Sequence, residues 1–199
     1  MKELTFGKYY LNNSKEKEEL TWLVLEEKDN KALIITKEII DFKVYDCNAK
    51  ACYYKSWLRH WINTKFQDIV FTEEEKRRII ETTIDNSLDS TEDKENKNVC
   101  LNCKDKMFLL SLKELNKYFK DDKKAKGSIY ANDNGLAKYS INGYGQWWLR
   151  SPSPIGQTAK YVDEMGNVEN KGVCFKKDEC GNVLEGGAGV RPACWIKIN

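Results

Sequence analysis

A chain of 199 residues suits a single domain spanning 1–199. Its 33 Lys+Arg nearly cancel 31 Asp+Glu, leaving a net charge of +2, so composition offers no electrostatic case for a nucleic-acid partner. No apolar run approaches the roughly 20 residues that cross a bilayer, so no membrane partner is expected.

The N-terminal "MKELTFGKYYLNN" has no continuous apolar core of the kind a secretory signal carries. A cytoplasmic location is the expectation, or an extracellular one if a leader has been removed. The stretch "TFGKYYL" reads as a short strand. Trp22–Leu25 and Ala32–Thr36, separated by the turn formers Asp29 and Asn30, read as a β-hairpin. The period then changes. Ser56 is a good N-cap, and Trp57, Leu58, Trp61, Ile62 and Phe66 follow at helical spacing. Thr72 and Glu75 form a capping box ahead of a second helix, "TEEEKRRIIETTI". Residues 85–98, "DNSLDSTEDKENKN", are polar and without period, which predicts an exposed loop. Met107–Leu110 reads as a short buried strand. Ser111 and Glu114 make a second capping box before a helix reaching Phe119.

Beyond Lys126 the chain is rich in Gly, Asn, Ser and Tyr. Its last part reads as short strands, "WWLR", "AKYVDEMGNVE", "GVCF" and "GVRPACWIKI", turned at Met165-Gly166-Asn167 and Cys180-Gly181-Asn182. Short antiparallel strands at both chain ends, two to three helices between them and a loop-rich C-terminal half make an α+β order. Trp22, Leu25, Trp57, Trp61, Leu109, Trp148 and Trp195 are expected to share one core.

Few residues point to chemistry. His60, the lone histidine, has no companion nominating it for catalysis and reads as a surface or boundary residue. Seven cysteines, an odd number, suit a reducing compartment better than a disulfide framework. Cys100-x-x-Cys103 with Cys47 and Cys52 could hold one zinc ion; the plainer reading is unpaired loop thiols. Cys174 and Cys180 could face one another, and Cys194 reads as a small buried hydrophobe. "GNVLEGGAGVR" is neither a dinucleotide turn nor a phosphate loop. Arg150 and Arg191 each end a likely strand beside a proline. Buried there, each would need partners, and a guanidinium can bridge several carbonyls or a carboxylate. They read as scaffold, with Trp57, Trp61, Trp148 and Trp195, and the acids considered for Arg150 and Arg191 are Asp105, Glu114 and Asp163. Tyr130, Tyr139, Tyr144 and Trp147 are the candidate ligand-binding residues, because Tyr and Trp among Ser, Gly and Asn give adaptable contact area.

Taken in order, "FGKYY", "SWLRHWINTKFQDIVF", "DKMFLLSLKELNKYF", "WWLRSP" and "GVRPACWIKI" resemble an uncharacterised bacterial domain family found in low-GC Gram-positive bacteria and their phages, with no activity to carry over. The closing motifs also resemble the C-type-lectin-like fold shared with formylglycine-generating enzymes and the variable proteins of diversity-generating retroelements. That likeness implies paired terminal strands, two helices and a loop-rich ligand-bearing face. No calcium-binding tripeptide accompanies it. The expected function is a non-catalytic module binding a small molecule, glycan or protein. The alternative is a cysteine- or metal-dependent enzyme resembling the formylglycine-generating group.

Overall fold

The computed structural model describes residues 1–12, 15–46, 52–94, 96, 98–154, 159–170, 176–177 and 183–198, with the backbone alone at 176–177 and 183–185. Two five-stranded sheets organise a mixed α+β fold. The first sheet orders Glu3–Tyr9, Glu18–Lys28, Lys31–Thr36, Ala193–Lys197 and Ile79–Ile80, all antiparallel neighbours. The hairpin read from the sequence is there: Lys28 pairs with Lys31, and Asp29 and Asn30 both adopt positive φ, at 52° and 57°. That is the primed geometry whose twist matches paired strands.

The second sheet orders Val168–Glu169, Ala159–Val162, Trp147–Pro152, Ala188–Val190 and Asp41–Lys43. Its one parallel pairing joins Trp147 to Gly189. The expected turn at Gly166, φ 89°, connects two of its strands. "GVCF" and the turn at Cys180-Gly181-Asn182 lie outside the described residues.

The two sheets share two chain segments. Lys31–Thr36 continues into Asp41–Lys43, and Ala188–Val190 continues into Ala193–Lys197, running antiparallel beside it. Both segments therefore change sheet at the same place. The Ile40 N–H donates to Val190 O and the Thr36 N–H to Pro192 O across this crossing. "GVRPACWIKI" is thus two strands in two sheets, broken at Arg191-Pro192, where Pro192 has no N–H to give a ladder. Close approach is built in: a Cβ on Gly189 would lie 2.2 Å from Ile39 Cγ2 and 2.7 Å from Gln146 O.

Among the described residues six short α-helices pack around the sheets: α1, Trp57–Asn63; α2, Lys65–Val70; α3, Glu73–Arg78; α4, Leu88–Thr91; α5, Leu112–Tyr118; and α6, Ile129–Asp133. Both capping boxes form, Thr72 with Glu75 and Ser111 with Glu114. Helix α3 stops short of the expected "IIETTI", because Ile79 and Ile80 pair with Ile196 and Trp195. Met107–Leu110 is buried but is not a strand; Phe108 alone bridges Ala193, and the nearby strand is Cys103–Asp105. The polar stretch 85–98 is also not a plain exposed loop. It contains α4, and Asn86, Ser90, Thr91 and Asn96 are buried, with Asn96 Nδ2 donating to Pro152 O. Trp22, Leu109, Trp147 and Trp148 are fully buried, while Leu25, Trp61 and Trp195 pack partly buried on the same core. Among the described residues no helix is long and apolar enough to cross a membrane.

Candidate binding cleft over the first helix

Trp57 departs from its expected place in the core: it is 64% exposed. Helix α1 accounts for this. Leu58 and Ile62, four residues apart, point into the core together with Phe66 of α2. Trp57 and Trp61, also four apart, form a neighbouring stripe about 100° around the helix. Only one of the two stripes can face the core fully.

The second stripe opens on a cleft of about 730 Å³ formed by the turn Tyr53–Lys55, α1 and the start of α2. Trp57 and Trp61 give it flat apolar surface, and Tyr54 stands at 36% exposure on the turn side. Lys55, His60 and Lys65 add polar, mostly cationic groups, and none of the lining residues is acidic. Lys43 stands 5.1 Å over the Trp61 ring while it pairs with buried Asp41 at 2.9 Å.

The cleft is held firmly from below. Ser56 caps α1, its hydroxyl accepting from the Arg59 N–H at 3.1 Å. Arg59 donates from Nε and NH2 to Asp105 at 2.7–2.9 Å and from NH1 to Tyr54 O at 2.8 Å. Its charge is therefore neutralised, and the Asp105 carboxylate holds the guanidinium above its ordinary range. Asn63 donates to Met107 O at 2.8 Å and accepts from the Lys106 and Met107 N–H groups. A smaller cleft, about 370 Å³ beside Trp195, mixes Asp29 and Glu81 with Lys28 and Lys31 and so favours no one charge.

The expected ligand residues Tyr130, Tyr139 and Tyr144 are each partly exposed. Tyr130 packs against Tyr9 and Tyr10, Tyr139 stacks on Phe42, and Tyr144 lies under Lys124 and Lys126. Trp147 has no exposure and donates from Nε1 to Lys123 O. It is core, because its strand lies in the middle of the second sheet. Trp148 is core as well, with Nε1 donating to Lys43 O at 2.9 Å.

Both arginines are buried and structural in their contacts. Arg150 chelates Glu114, with NH2 to Oε1 at 3.0 Å and NH1 to Oε2, and it also donates to Leu109 O and Asp85 O. Burial penalises its charge, but Glu114 outweighs this and leaves the guanidinium above its ordinary range. Asp105 and Asp163, the other acids considered, are engaged elsewhere, by Arg59 and by the Met165–Asn167 turn. Among the described residues no acid pairs with Arg191. Nε and NH2 donate to Thr36 O and NH2 also to Lys37 O, so the side chain pins the crossing between sheets. The Trp147 ring lies 4.6 Å and the Phe119 ring 5.4 Å from its guanidinium carbon.

A domain of unknown function, DUF6273, matches residues 29–198. The chain belongs to that family. The DUF6273 match takes in the cleft, both arginines and the two chain segments that link the sheets, and it names no activity. No curated protein and no solved structure matches the chain.

Of the four cysteines in the zinc reading, three lie among the described residues. Cys47 lies outside the described residues, as do Cys174 and Cys180. Cys103 is buried, and its Sγ donates to Asp105 Oδ2 at 3.1 Å, a carboxylate that Arg59 already pairs with. Cys52 and Cys100 are both free and half-buried. Among the described residues no group of three His, Cys, Asp or Glu side chains is placed to hold a metal. Cys194 is buried, as its apolar strand implied. The cleft was missed because periodicity was read as one apolar face. The signal was present in its width: Trp57, Leu58, Trp61 and Ile62 cover more of a short helix than a core contact needs.

Proposed function

We propose that the protein is a non-catalytic binding module whose cleft over α1 takes an acidic, partly apolar segment of a partner protein. The observation that carries this reading is Trp57, a large aromatic side chain 64% exposed beside Trp61 in a cleft lined by lysines and no acid. Exposed Trp and Tyr are the residue types that dominate binding energy at protein interfaces. Small-molecule sites enclose most of their ligand, whereas walls as exposed as Trp57 and Tyr54 suit a chain laid across them. Lys55 and Lys65, without acidic partners among the described residues, favour carboxylates on that chain. The likeness to the C-type-lectin-like fold belongs to this proposal as well, supported by the pairing of the terminal strand Ala193–Lys197 with Lys31–Thr36.

The enzyme alternative has less behind it. Burial pushes the Cys103 thiol up to about 11, and the Cys194 thiol is held well above its ordinary range for the same reason. Protonated thiols are poor nucleophiles.

Selection from a displayed random-peptide library tests the reading. The native protein should enrich sequences combining Asp or Glu with an aromatic or aliphatic residue, with binding that weakens in salt. Trp57→Ala should weaken the selected peptides roughly 30-fold, the scale of a loss of about 2 kcal/mol at an interface hot spot. Enrichment of basic peptides, or equal binding by Trp57→Ala, would overturn it.

A further inference from the structure

Met165 is 64% exposed, as much as Trp57. It stands on the turn between Ala159–Val162 and Val168–Glu169, which closes where Val162 pairs with Val168. The turn is braced from within. Asp163 Oδ1 accepts from the Met165 and Asn167 N–H groups at 2.9 and 2.7 Å, Asp163 Oδ2 accepts from Asn167 Nδ2 at 3.0 Å, and the Asp163 N–H donates to Asn167 O at 2.9 Å. Backbone held in this way needs little further ordering to bind, which lowers the entropic cost of docking.

The charge around Met165 matters as much as its exposure. Among the exposed large apolar side chains of the described residues, Met165 alone directly follows two acids, Asp163 and Glu164. Leu88, which precedes Asp89, lines a hollow that it shares with Lys94 and Lys113. Glu164 and, on the return strand, Glu169 pair with no cation among the described residues. Lys124 passes beside Gly166, where an added Cβ would lie 3.2 Å from its Cγ, but its ammonium is placed over the Tyr144 ring, 5.0 Å from the centroid.

We infer that the acidic, partly apolar segment taken by the cleft over α1 is this turn of a second copy of the chain. The inference rests on the binding reading, since it uses the same cleft. Met165 supplies a flexible, polarizable thioether to the flat faces of Trp57 and Trp61. Glu164 and Glu169 supply carboxylates to Lys55 and Lys65. Neither set of charges is paired within its own chain, so docking joins them without breaking an existing bridge. Turn and cleft are different patches of the surface, so the contact is head-to-tail and adds copies into rings or open chains. A single turn buries less than a standard interface of about 1,600 Å², so the association is weak and depends on concentration.

Sedimentation equilibrium of the full-length protein, over a range of concentrations and at low and high salt, tests this. The average mass should rise with concentration and fall back in salt. Trp57→Ala, which spoils the cleft, and Glu164→Lys with Met165→Ala, which spoils the turn, should each weaken association roughly tenfold or more. Mixing the two should restore a one-to-one pair and nothing larger, because only one good cleft and one good turn remain. All three positions lie outside the fully buried core, and thermal melts by circular dichroism check that each variant folds. A parent that stays monomeric to millimolar concentration, association unchanged in the turn variant, or a mixture that forms no pair would overturn the inference. The parent's mass decides it even where a variant fails to fold. Selection of acidic peptides by a parent that stays monomeric would overturn this inference alone and leave the binding reading standing.

Discussion

Replacing Arg150 by Lys keeps a positive charge and removes the planar fork. Arg150 makes four donor contacts, two to the Glu114 carboxylate and one each to Leu109 O and Asp85 O. A single ammonium can hold one Glu114 oxygen from the same backbone position, and no geometry lets it reach both carbonyls as well. Two hydrogen bonds from a charged donor, each contributing about 1.5–3 kcal/mol, are then at risk. With partial repair by water near Glu114, which is 29% exposed, the expected loss is about 3 kcal/mol. For a chain of this length that corresponds to a melting temperature lower by roughly 6–12 °C. Urea unfolding followed by circular dichroism gives the free energy directly. Glu114→Gln is the companion variant, since it preserves shape and leaves Arg150 without its counter-charge; breaking a buried pair from one side costs about 3–5 kcal/mol. An Arg150→Lys midpoint equal to the parent's would refute the claim that the fork, rather than the charge, is what the fold uses.

Trp22→Ala and Trp148→Ala should each cost about 3–5 kcal/mol in the same unfolding assay, while Trp57→Ala should leave stability within about 0.5 kcal/mol of the parent; a large loss at Trp57 would place it in the core after all. Gly189→Ala should destabilise strongly or prevent folding, because the added carbon meets Gln146 O at 2.7 Å as well as Ile39, and soluble expression with an unchanged melt would contradict that packing. Burial holds the Tyr45 and Tyr53 hydroxyls well above 10.0. A raised folded value means stability is complete below pH 10.0 and is lost as pH climbs past it. Phenolate absorbance from these rings should therefore appear together with loss of circular dichroism in an alkaline titration, and full ionisation of every tyrosine in a still-folded chain would refute the burial argument.

What could be read from sequence follows the range of the interaction. Both capping boxes and the Asp29-Asn30 turn form as expected, since each is decided within four residues by local hydrogen bonding or backbone preference. Glu114 as the partner of Arg150 was within reach for a related reason: a capping carboxylate at a helix start has a fixed position and a spare lone pair. Longer-range features were not legible. Ile79 and Ile80 carry helical spacing and still join a sheet, because the last strand offers them pairing that no local pattern announces. Asn86, Ser90 and Asn96 look like loop residues until Pro152 and the neighbouring backbone turn out to need their hydrogen bonds. Trp147 was misplaced among ligand residues because a tryptophan beside glycines and tyrosines has the composition of a binding loop, whereas its parallel pairing with Gly189 puts it in the middle of a sheet.

Arg191 poses the sharper physical problem, since it is 1% exposed and pairs with no carboxylate among the described residues. Burial pulls its guanidinium down to about 9, which still leaves it charged at neutral pH. Three carbonyl contacts and two aromatic faces stand in for a counter-ion, and NH1 has no partner among the described residues. Such a charge is a cost that the sheet crossing tolerates because Thr36 O and Lys37 O need donors there. The two arginines should therefore respond in opposite ways to the same substitutions. Arg150→Met abandons Glu114 and should be at least as damaging as Arg150→Lys. Arg191→Met abandons no charge, keeps a long side chain against Trp147, and loses only the carbonyl bonds, at about 1–3 kcal/mol. Arg191→Lys keeps a buried charge, concentrates it on one nitrogen and forfeits the planar contact with both rings. Arg191→Met should accordingly be more stable than Arg191→Lys. Equilibrium unfolding of the four variants reads the order directly, and finding Lys above Met at position 191 would show that charge there does more for the fold than filling the crossing with an apolar chain.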